Sequence, residues 1–424
     1  MKRLAILLGG AALALAACSA QAAEVRSTDF ELPPEVEVVF QVLTPEGTAG
    51  GAGVMLAVLD PITGLEINPQ YHEMEAEGER SYSLRLSVPM GSQLIYRYVR
   101  AGAGLVREAA AEGNFLYRVY LVDGPGHVVT DLVAAWQDQA SEPATGGISG
   151  IIQDAESGEP LPNVRVAVSG VHTQSNAAGE FTITGLLQGL HTLVAYDENG
   201  AYKTFQQGAL VAAGLETPAN IQLRANELVR VQFTVNPPQS SVPGVPITMW
   251  GNLSGLRGLM PDGQDDEGRY LFSAEVPVGG DIRYKYSQGD GFWNAEHLAN
   301  GDYLLRQIIL EDGIDGLTVN DEIATWEAGN SAPIWFELAA PEGTAQAFIQ
   351  FKFIDWTPAI GMWPLGGGNF AYKLSSPTNF AAPLEYRYCL DSFCLNPEDS
   401  AEARSVIGNL DNVQYIEDQV SAWK

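Results

Sequence analysis

The sequence predicts an all-β protein, built as a tandem array of four β-sandwich domains that follow a signal peptide. Two observations lead to this fold class. Short apolar segments alternate with polar residues at a period of two, and Gly, Pro, Asn and Asp separate the segments, which is typical of antiparallel strands. One pattern of such segments also occurs three times, and each copy has about 90 to 100 residues, the size of one β-sandwich.

The three repeats share the same order of elements. Each opens with an apolar strand and a Pro-containing turn, as in VEVVFQVLTPEGT from Val36. Each continues with a strand of alternating aromatic and basic residues, which reads LIYRYVR, IRYKYSQ or LEYRYCL, and each closes on Asp, a few residues and Trp. Because these aromatic residues recur in register, we predict that they belong to the core: Tyr96, Tyr98, Trp136, Tyr284, Tyr286, Trp326, Tyr386, Tyr388 and Trp423.

The repeats and the polar segments between them predict the domain boundaries. A unit of a different pattern follows the polar linker QDQASEPATGG, and we call it the inserted domain. The predicted order is a signal peptide at 1–17, a tether at 18–34, the first repeat at 35–138, the inserted domain at 146–224, the second repeat at 227–327 and the third repeat at 332–424. Short polar linkers predict a semi-rigid rod with some motion between domains.

Composition and motifs argue against a nucleic-acid partner and against catalysis. The formal charge is −29, with 23 basic and 52 acidic residues, whereas phosphate binding depends on Lys and Arg. The acidity is therefore interpreted as a solvated surface. The five histidines are scattered without metal-ligand spacing, and there is no nucleophile elbow and no P-loop. We predict no catalytic residue, no cofactor and no metal, and hence a protein that is not an enzyme.

The N-terminus has the pattern of a secretory signal. Lys2 and Arg3 precede an uncharged apolar segment, residues 4–17, that is too short to span a membrane comfortably. The sequence Leu15-Ala16-Ala17-Cys18 resembles a bacterial lipobox, which implies lipidation of Cys18 and attachment to the lipid bilayer at the bacterial cell surface, facing outward. Ordinary cleavage after Ala20-Gln21-Ala22 is the alternative. In such a secreted chain, the nearby Cys389 and Cys394 predict a small disulfide loop.

The inserted domain closely resembles the carboxypeptidase regulatory-like, or transthyretin-like, domain over about 80 residues, a size that suits one small sandwich. The resemblance implies a small prealbumin-like β-sandwich that serves as a spacer or accessory module without catalytic residues. The positions that carry it are Gly150, Asp154, Gly158, Pro160, Leu161, Val164, Val166, Val168, Gly179, Phe181, Leu186, Gly189 and Leu193.

The repeats are similar, more weakly, to the starch-binding domains of amylases and glucoamylases. In the second repeat the similarity rests on Trp250-Gly251-Asn252, Tyr284-Lys285-Tyr286 and Phe292-Trp293 followed by Glu296. The family stacks two tryptophans on glucose rings, and Trp293 matches one position while Met260 occupies the other. The third repeat does the reverse, with Trp363 in Ile360-Gly361-Met362-Trp363-Pro364 and Phe393 in the later loop.

These resemblances favour a cell-surface protein that binds a polysaccharide or a cell-wall glycan without catalysis, beside a partner hydrolase or transporter. Trp293 and Trp363 are the candidate stacking platforms, Asn294 and Glu296 the candidate hydrogen-bonding neighbours, and Trp356 and Trp250 further candidates. The alternative for each Trp is packing at a domain end. The alternative for the protein is a structural or protein-interaction role that reuses the fold without a ligand.

Overall fold

A computed structural model describes residues 31–424, except 49–52, 67, 103, 113–114, 140–142, 290–293, 311–312, 330, 353–355, 358, 378–381 and 410. The regular secondary structure of the described residues is almost entirely β-strand, with one short 3-10 helix at Ser254–Leu256. Each of four successive stretches of the sequence forms two sheets, as expected for tandem β-sandwiches. Among the described residues, no helix is long and apolar enough to cross a membrane.

The first repeat contains two facing sheets, with strand orders β4-β5-β1-β9 and β10-β7-β6-β2-β3, and β8 pairs with β6. Its strands are β1 (Glu35–Leu43), β2 (Val54–Val58), β3 (Gln70–Glu73), β4 (Glu75–Ala76), β5 (Ser81–Pro89), β6 (Gln93–Ala101), β7 (Leu105–Ala109), β8 (Arg118–Leu121), β9 (His127–Leu132) and β10 (Ala135–Trp136).

The inserted domain has the sheet orders β14-β11-β17, with β18 pairing with β11, and β13-β12-β15-β16. Its strands are β11 (Thr145–Asp154), β12 (Arg165–Val168), β13 (Val171–Gln174), β14 (Glu180–Leu187), β15 (Gly189–Tyr196), β16 (Phe205–Val211), β17 (Glu216–Pro218) and β18 (Ile221–Leu223).

The second and third repeats again have two sheets each. The orders are β21-β22-β19-β25 and β20-β23-β24 in the second, and β29-β30-β26-β33 and β28-β27-β31-β32 in the third. The strands are β19 (Leu228–Asn236), β20 (Ile247–Gly251), β21 (Gly263–Gln264), β22 (Tyr270–Pro277), β23 (Asp281–Gln288), β24 (Arg306–Ile309), β25 (Leu317–Glu322), β26 (Ile334–Ala339), β27 (Phe348–Lys352), β28 (Ile360–Gly361), β29 (Trp363–Gly366), β30 (Asn369–Leu374), β31 (Leu384–Cys389), β32 (Arg404–Val406) and β33 (Gln414–Gln419).

Each repeat contains one parallel strand pair that the antiparallel prediction missed. The first strand of each repeat pairs in parallel with its last long strand: β1 with β9, β19 with β25, and β26 with β33. Sequence alternation gives the side-chain faces of a strand but not the direction of its partner. The parallel pair brings the two ends of each repeat side by side, which places the closing Trp near the first turn.

The aromatic residues that recur in register lie in the cores, as predicted. The six tyrosines are at most 3% exposed, Trp136 and Trp326 are fully buried, and Trp423 packs partly buried against its core. Each indole N–H donates to a hydroxyl after the first strand: Trp136 to Thr48 at 2.9 Å, Trp326 to Ser241 at 3.0 Å and Trp423 to Thr344 at 3.2 Å. The closing Trp therefore fastens the end of each repeat to its beginning.

The first three domains contact one another, so the rod predicted from the short linkers is wrong for this part of the chain. The first and second repeats meet although the inserted domain separates them in sequence. Gln93 N donates to Asp281 Oδ2 at 2.9 Å, and Tyr303 OH donates to Asp60 Oδ1 at 3.2 Å. The inserted domain also joins the first repeat, through Gln206 and the backbone of Leu121.

Candidate functional site

Trp363 lies at the edge of the third repeat, where two other aromatic rings hold it. It begins the edge strand β29 and pairs in register with Ala371 of β30. Its ring centroid is 6.2 Å from that of Trp335, in an edge-to-face arrangement, and 5.7 Å from that of Tyr372. The indole remains partly exposed. These contacts hold the ring in place while part of it stays exposed.

The second repeat comes against this edge of the third, and we call the contact the Trp363 junction. A Cβ added at Gly289 would lie 3.7 Å from Trp363 Nε1. Asn294 Nδ2 donates to the carbonyl of Lys373 at 2.6 Å, and Asn294 Oδ1 accepts from Ser375 N at 2.8 Å. The predicted platform Trp293 lies outside the described residues, but Gly289 and Asn294 on either side of its loop both contact the third repeat.

Asn294 and Glu296 are not available to a ligand, which corrects the prediction that they hydrogen-bond sugar hydroxyls. Asn294 is 2% exposed and joins the two repeats through the bonds just described, while Glu296 is fully buried. Glu296 accepts from Arg306 Nε at 2.9 Å and Nη2 at 2.7 Å, and from Tyr286 N at 3.0 Å. Both side chains satisfy their polar groups inside the protein.

Glu296 belongs to a buried ionic cluster that occurs in all three repeats and consists of two Tyr, one Glu, one Arg and one Asp. In every repeat the Glu follows the second Tyr by ten residues and accepts its backbone N–H. The members are Tyr96, Tyr98, Glu108, Arg118 and Asp131 in the first repeat, Tyr284, Tyr286, Glu296, Arg306 and Asp321 in the second, and Tyr386, Tyr388, Glu398, Arg404 and Asp418 in the third.

The geometry of the three ionic clusters is closely similar. Both Tyr hydroxyls donate to one oxygen of the Asp at 2.8 to 3.0 Å. The Arg donates to the other Asp oxygen, at 2.7 Å in the case of Arg306 and Asp321, and its guanidinium also lies over the second Tyr ring. Desolvation alone would lower the pKa of Arg306, but the charges of Glu296 and Asp321 outweigh it and raise that pKa well above its usual value. The polar groups of each cluster are therefore paired with one another, and the clusters are structural.

The two other candidate tryptophans are partly buried and engaged. Trp356 carries the guanidinium of Arg387 over its ring, 4.2 Å from the centroid, so one face of the ring is already occupied. Trp250 donates from Nε1 to Thr248 Oγ1 at 3.0 Å and lies beside the turn at Gly258. Met260, which replaces the second Trp of the starch-binding pattern, is 51% exposed.

The two cysteines of the third repeat form a disulfide, and their Cα atoms are 5.1 Å apart. The enclosed loop is also held by Asp391, whose carboxylate accepts the backbone N–H groups of Phe393 and Leu395. The loop presents Phe393, which is 83% exposed. Cys18 lies outside the described residues. Within the part of the chain that is described, no group of three or more His, Cys, Asp or Glu is arranged to hold a metal ion.

Sequence reasoning missed two aromatic residues near the Trp363 junction, Trp335 and Tyr415. Both are on strands of the third repeat, and Trp335 contacts the Trp363 ring. The signal was present in PIWFELA, where Ile334, Phe336 and Leu338 alternate inward and Trp335 therefore points outward. The starch-binding similarity concerns loop residues, whereas Trp335 lies on a strand.

The fold and the site define this chain as an array of β-sandwich modules with partly exposed aromatic residues at a module junction. Residues 147–224 match the carboxypeptidase regulatory-like domain, which confirms the identity predicted for the inserted domain. No curated protein matches the chain.

Several solved structures are similar at low identity. The Bacillus anthracis TIE protein is 10% identical over 94% of this chain and 76% of its own, with a TM-score of 0.19. A streptococcal ancillary pilin is 11% identical over 67% of this chain and 98% of its own, with a TM-score of 0.22. A family 15 glucoamylase from Hypocrea jecorina is 18% identical over 26% of this chain and 18% of its own, with a TM-score of 0.19.

Proposed function

We propose that this chain is a secreted, non-catalytic carbohydrate-binding protein and that Trp363 is its stacking platform. The observation that carries the proposal is the position of Trp363, which is partly exposed and held by Trp335 and Tyr372 at the edge of a rigid sandwich. An indole offers a large π-face to the C–H face of a sugar and an N–H group to its hydroxyls. A ring that is already fixed loses little conformational freedom on binding.

Trp293 remains part of this proposal through its position in the sequence. The described residues on both sides of its loop, Gly289 and Asn294, lie against the third repeat near Trp363. Asn294 and Glu296 have no place in the proposed site, because both are buried and paired.

A catalytic role is not proposed, because the buried ionisable groups are already used. In each repeat the buried Glu and Asp are paired with one Arg and accept hydrogen bonds from tyrosines or backbone. General acid–base catalysis needs a carboxyl group that can reach a substrate. These carboxylates face the interior.

The test is retention on insoluble polysaccharide. Residues 19–424 are incubated with starch, cellulose and peptidoglycan, beside Trp363→Ala and a Trp293→Ala/Trp363→Ala double variant. We expect one of the three to retain the wild type and the Trp363→Ala variant to bind at least about tenfold more weakly, since loss of one stacking contact of about 1.5 kcal/mol corresponds to that factor.

Tyr71→Ala is the control, because Tyr71 is an exposed aromatic residue of the first repeat and has no place in the proposed site. Retention of Tyr71→Ala equal to that of the wild type would show that loss of any exposed aromatic residue is not enough to weaken binding. If the wild type is not retained on any of the three materials, the carbohydrate-binding proposal is abandoned in favour of the structural alternative. A specific observation favours that alternative: Asn294, expected beside a sugar, instead bonds to the third repeat.

We also propose that Cys18 is lipidated and anchors the protein on the outer side of a bacterial membrane, beside a partner hydrolase or transporter. The lipobox-like sequence before Cys18 supports this, and several acyl chains are needed for stable anchoring. In a bacterial host, we expect the wild type to incorporate labelled palmitate and to sediment with membranes. Cys18→Ser is expected to abolish the label and release the protein. Incorporation of labelled palmitate into the Cys18→Ser variant would overturn the assignment of the lipid to Cys18.

A further inference from the structure

The third repeat has an outward sheet face that no described domain covers at its β33 side. The strands lie in the order β29-β30-β26-β33. Along β26 and β33 the residues alternate between core and solvent, and the outward positions pair across the two strands. Trp335 lies opposite Tyr415, and Glu337 lies opposite Glu417. The face thus carries an aromatic pair and, one step along the strands, a pair of carboxylates.

Three of these four side chains are open to solvent, and Trp335 is partly exposed. Tyr415 is 67% exposed, and Glu337 and Glu417 are also exposed. Like charges directly opposite on neighbouring strands destabilise a sheet, and neither carboxylate has an ion-pair partner among the described residues. Lys373, opposite Trp335 on β30, is itself paired with Glu327. The repulsion between Glu337 and Glu417 therefore lowers the stability of this sheet, and no described ion pair offsets it.

The aromatic residues of this face continue the row that begins at Trp363. The Trp335 ring contacts the Trp363 ring on one side, and Tyr415 is its cross-strand neighbour on the other. From β29 to β33 the row crosses three spacings between strands, or roughly 14 Å at about 4.8 Å each. That length exceeds one sugar ring and suits an extended chain of several sugars.

We propose that Trp335, Tyr415, Glu337 and Glu417 extend the Trp363 junction into a surface that binds the chain of a neutral polysaccharide. This inference rests on the proposed carbohydrate-binding function and adds the class of ligand and the residues that select it. The aromatic residues stack on successive sugars, and the carboxylates accept hydrogen bonds from sugar hydroxyls. Two adjacent carboxylates repel an acidic glycan, in a protein whose formal charge is already −29.

The experiment compares long and short soluble glycans on residues 19–424. Hydroxyethylcellulose and soluble starch are the polymers, cellobiose and maltose the disaccharides, and binding is measured by calorimetry at low and high salt. We expect the wild type to bind one polymer at least about tenfold more tightly than its disaccharide, which corresponds to about 1.4 kcal/mol, with little dependence on salt. Tyr415→Ala and the double variant Glu337→Gln/Glu417→Gln are expected to lose most of this preference for length.

Tyr415 is chosen because its exposure makes misfolding on substitution improbable, and Tyr415→Phe should restore the binding of polymer. A Tyr415→Ala variant that keeps the full preference for the polymer, while Trp363→Ala loses binding, overturns this inference and leaves the proposed function intact. Absence of binding by the wild type overturns the proposed function itself. Binding that disappears at high salt, or a preference for an acidic glycan or a basic protein, overturns the assignment to a neutral polysaccharide.

Discussion

Replacing Arg306 by methionine is expected to destabilise the second repeat by about 3 to 5 kcal/mol. The Arg306 side chain is 2% exposed and is the ion-pair partner of Glu296 and Asp321, whose side chains are fully buried. Methionine keeps much of the volume of arginine but leaves two buried carboxylates without a countercharge. Urea unfolding of the full chain measures the loss, and hydrogen exchange of the β23 peptide assigns it to the second repeat.

Two other arginines serve as controls for this prediction. Arg404→Met removes the equivalent residue of the third repeat, but its side chain is 27% exposed, so water compensates part of the loss and the effect should be clearly smaller. Arg257→Met removes a surface pair with Glu198 and should change stability by no more than about 1 kcal/mol. An Arg306→Met protein as stable as Arg257→Met would show that the cluster contributes no net stability.

The repeats predicted part of the ionic cluster, namely its tyrosines, but not the role of its glutamate. The recurrence of Tyr-x-Tyr and of Asp before the closing Trp predicted core positions, and the tyrosines and Trp326 are buried. The same register contains a Glu ten residues after the second Tyr in each repeat. That recurrence was available in the sequence, but the starch-binding similarity assigned Glu296 to a ligand. A carboxylate that recurs at a fixed distance from core tyrosines in every repeat indicates a structural residue rather than a ligand-binding one.

Other features were beyond the reach of sequence patterns. Alternation identified strands in all four domains, yet the parallel pairing of β26 with β33 depends on how the chain returns, which a local pattern does not record. Contacts between the first and second repeats, such as Gln93 with Asp281, join residues far apart in the chain. The placement of Trp335 beside Trp363 follows from strand order, and only the assembled sheet gives that order.

The second large effect is expected at alkaline pH, where the second repeat should lose stability steeply above about pH 10, the usual pKa of tyrosine. Burial raises the pKa of Tyr284 and of Tyr286 well above that value, because desolvation disfavours the phenolate and the charge of Asp321 repels it. The folded protein therefore keeps both protons at a pH where the unfolded chain releases them. The stabilisation is complete below the unfolded pKa and declines as the pH rises toward the folded pKa.

The expected slope is about 1.4 kcal/mol per pH unit for each tyrosine, so about 3 kcal/mol per unit for the pair in one repeat. Urea unfolding at a series of pH values measures it, and the ultraviolet absorbance of tyrosinate follows ionisation. The six cluster tyrosines, whose pKa values burial raises, should ionise only as the domains unfold.

A Tyr284→Phe/Tyr286→Phe variant separates the tyrosines from the other groups that titrate in this range, such as Lys285, whose pKa burial lowers to about 8. The variant loses the two hydrogen bonds to Asp321 and should be less stable than the wild type at pH 8. Its stability should then fall by less than that of the wild type above pH 10, so that the two curves converge. Parallel curves for the wild type and the variant would contradict this prediction. They would mean that the two hydroxyls ionise in the folded protein as they do in water, although both donate hydrogen bonds to one oxygen of Asp321.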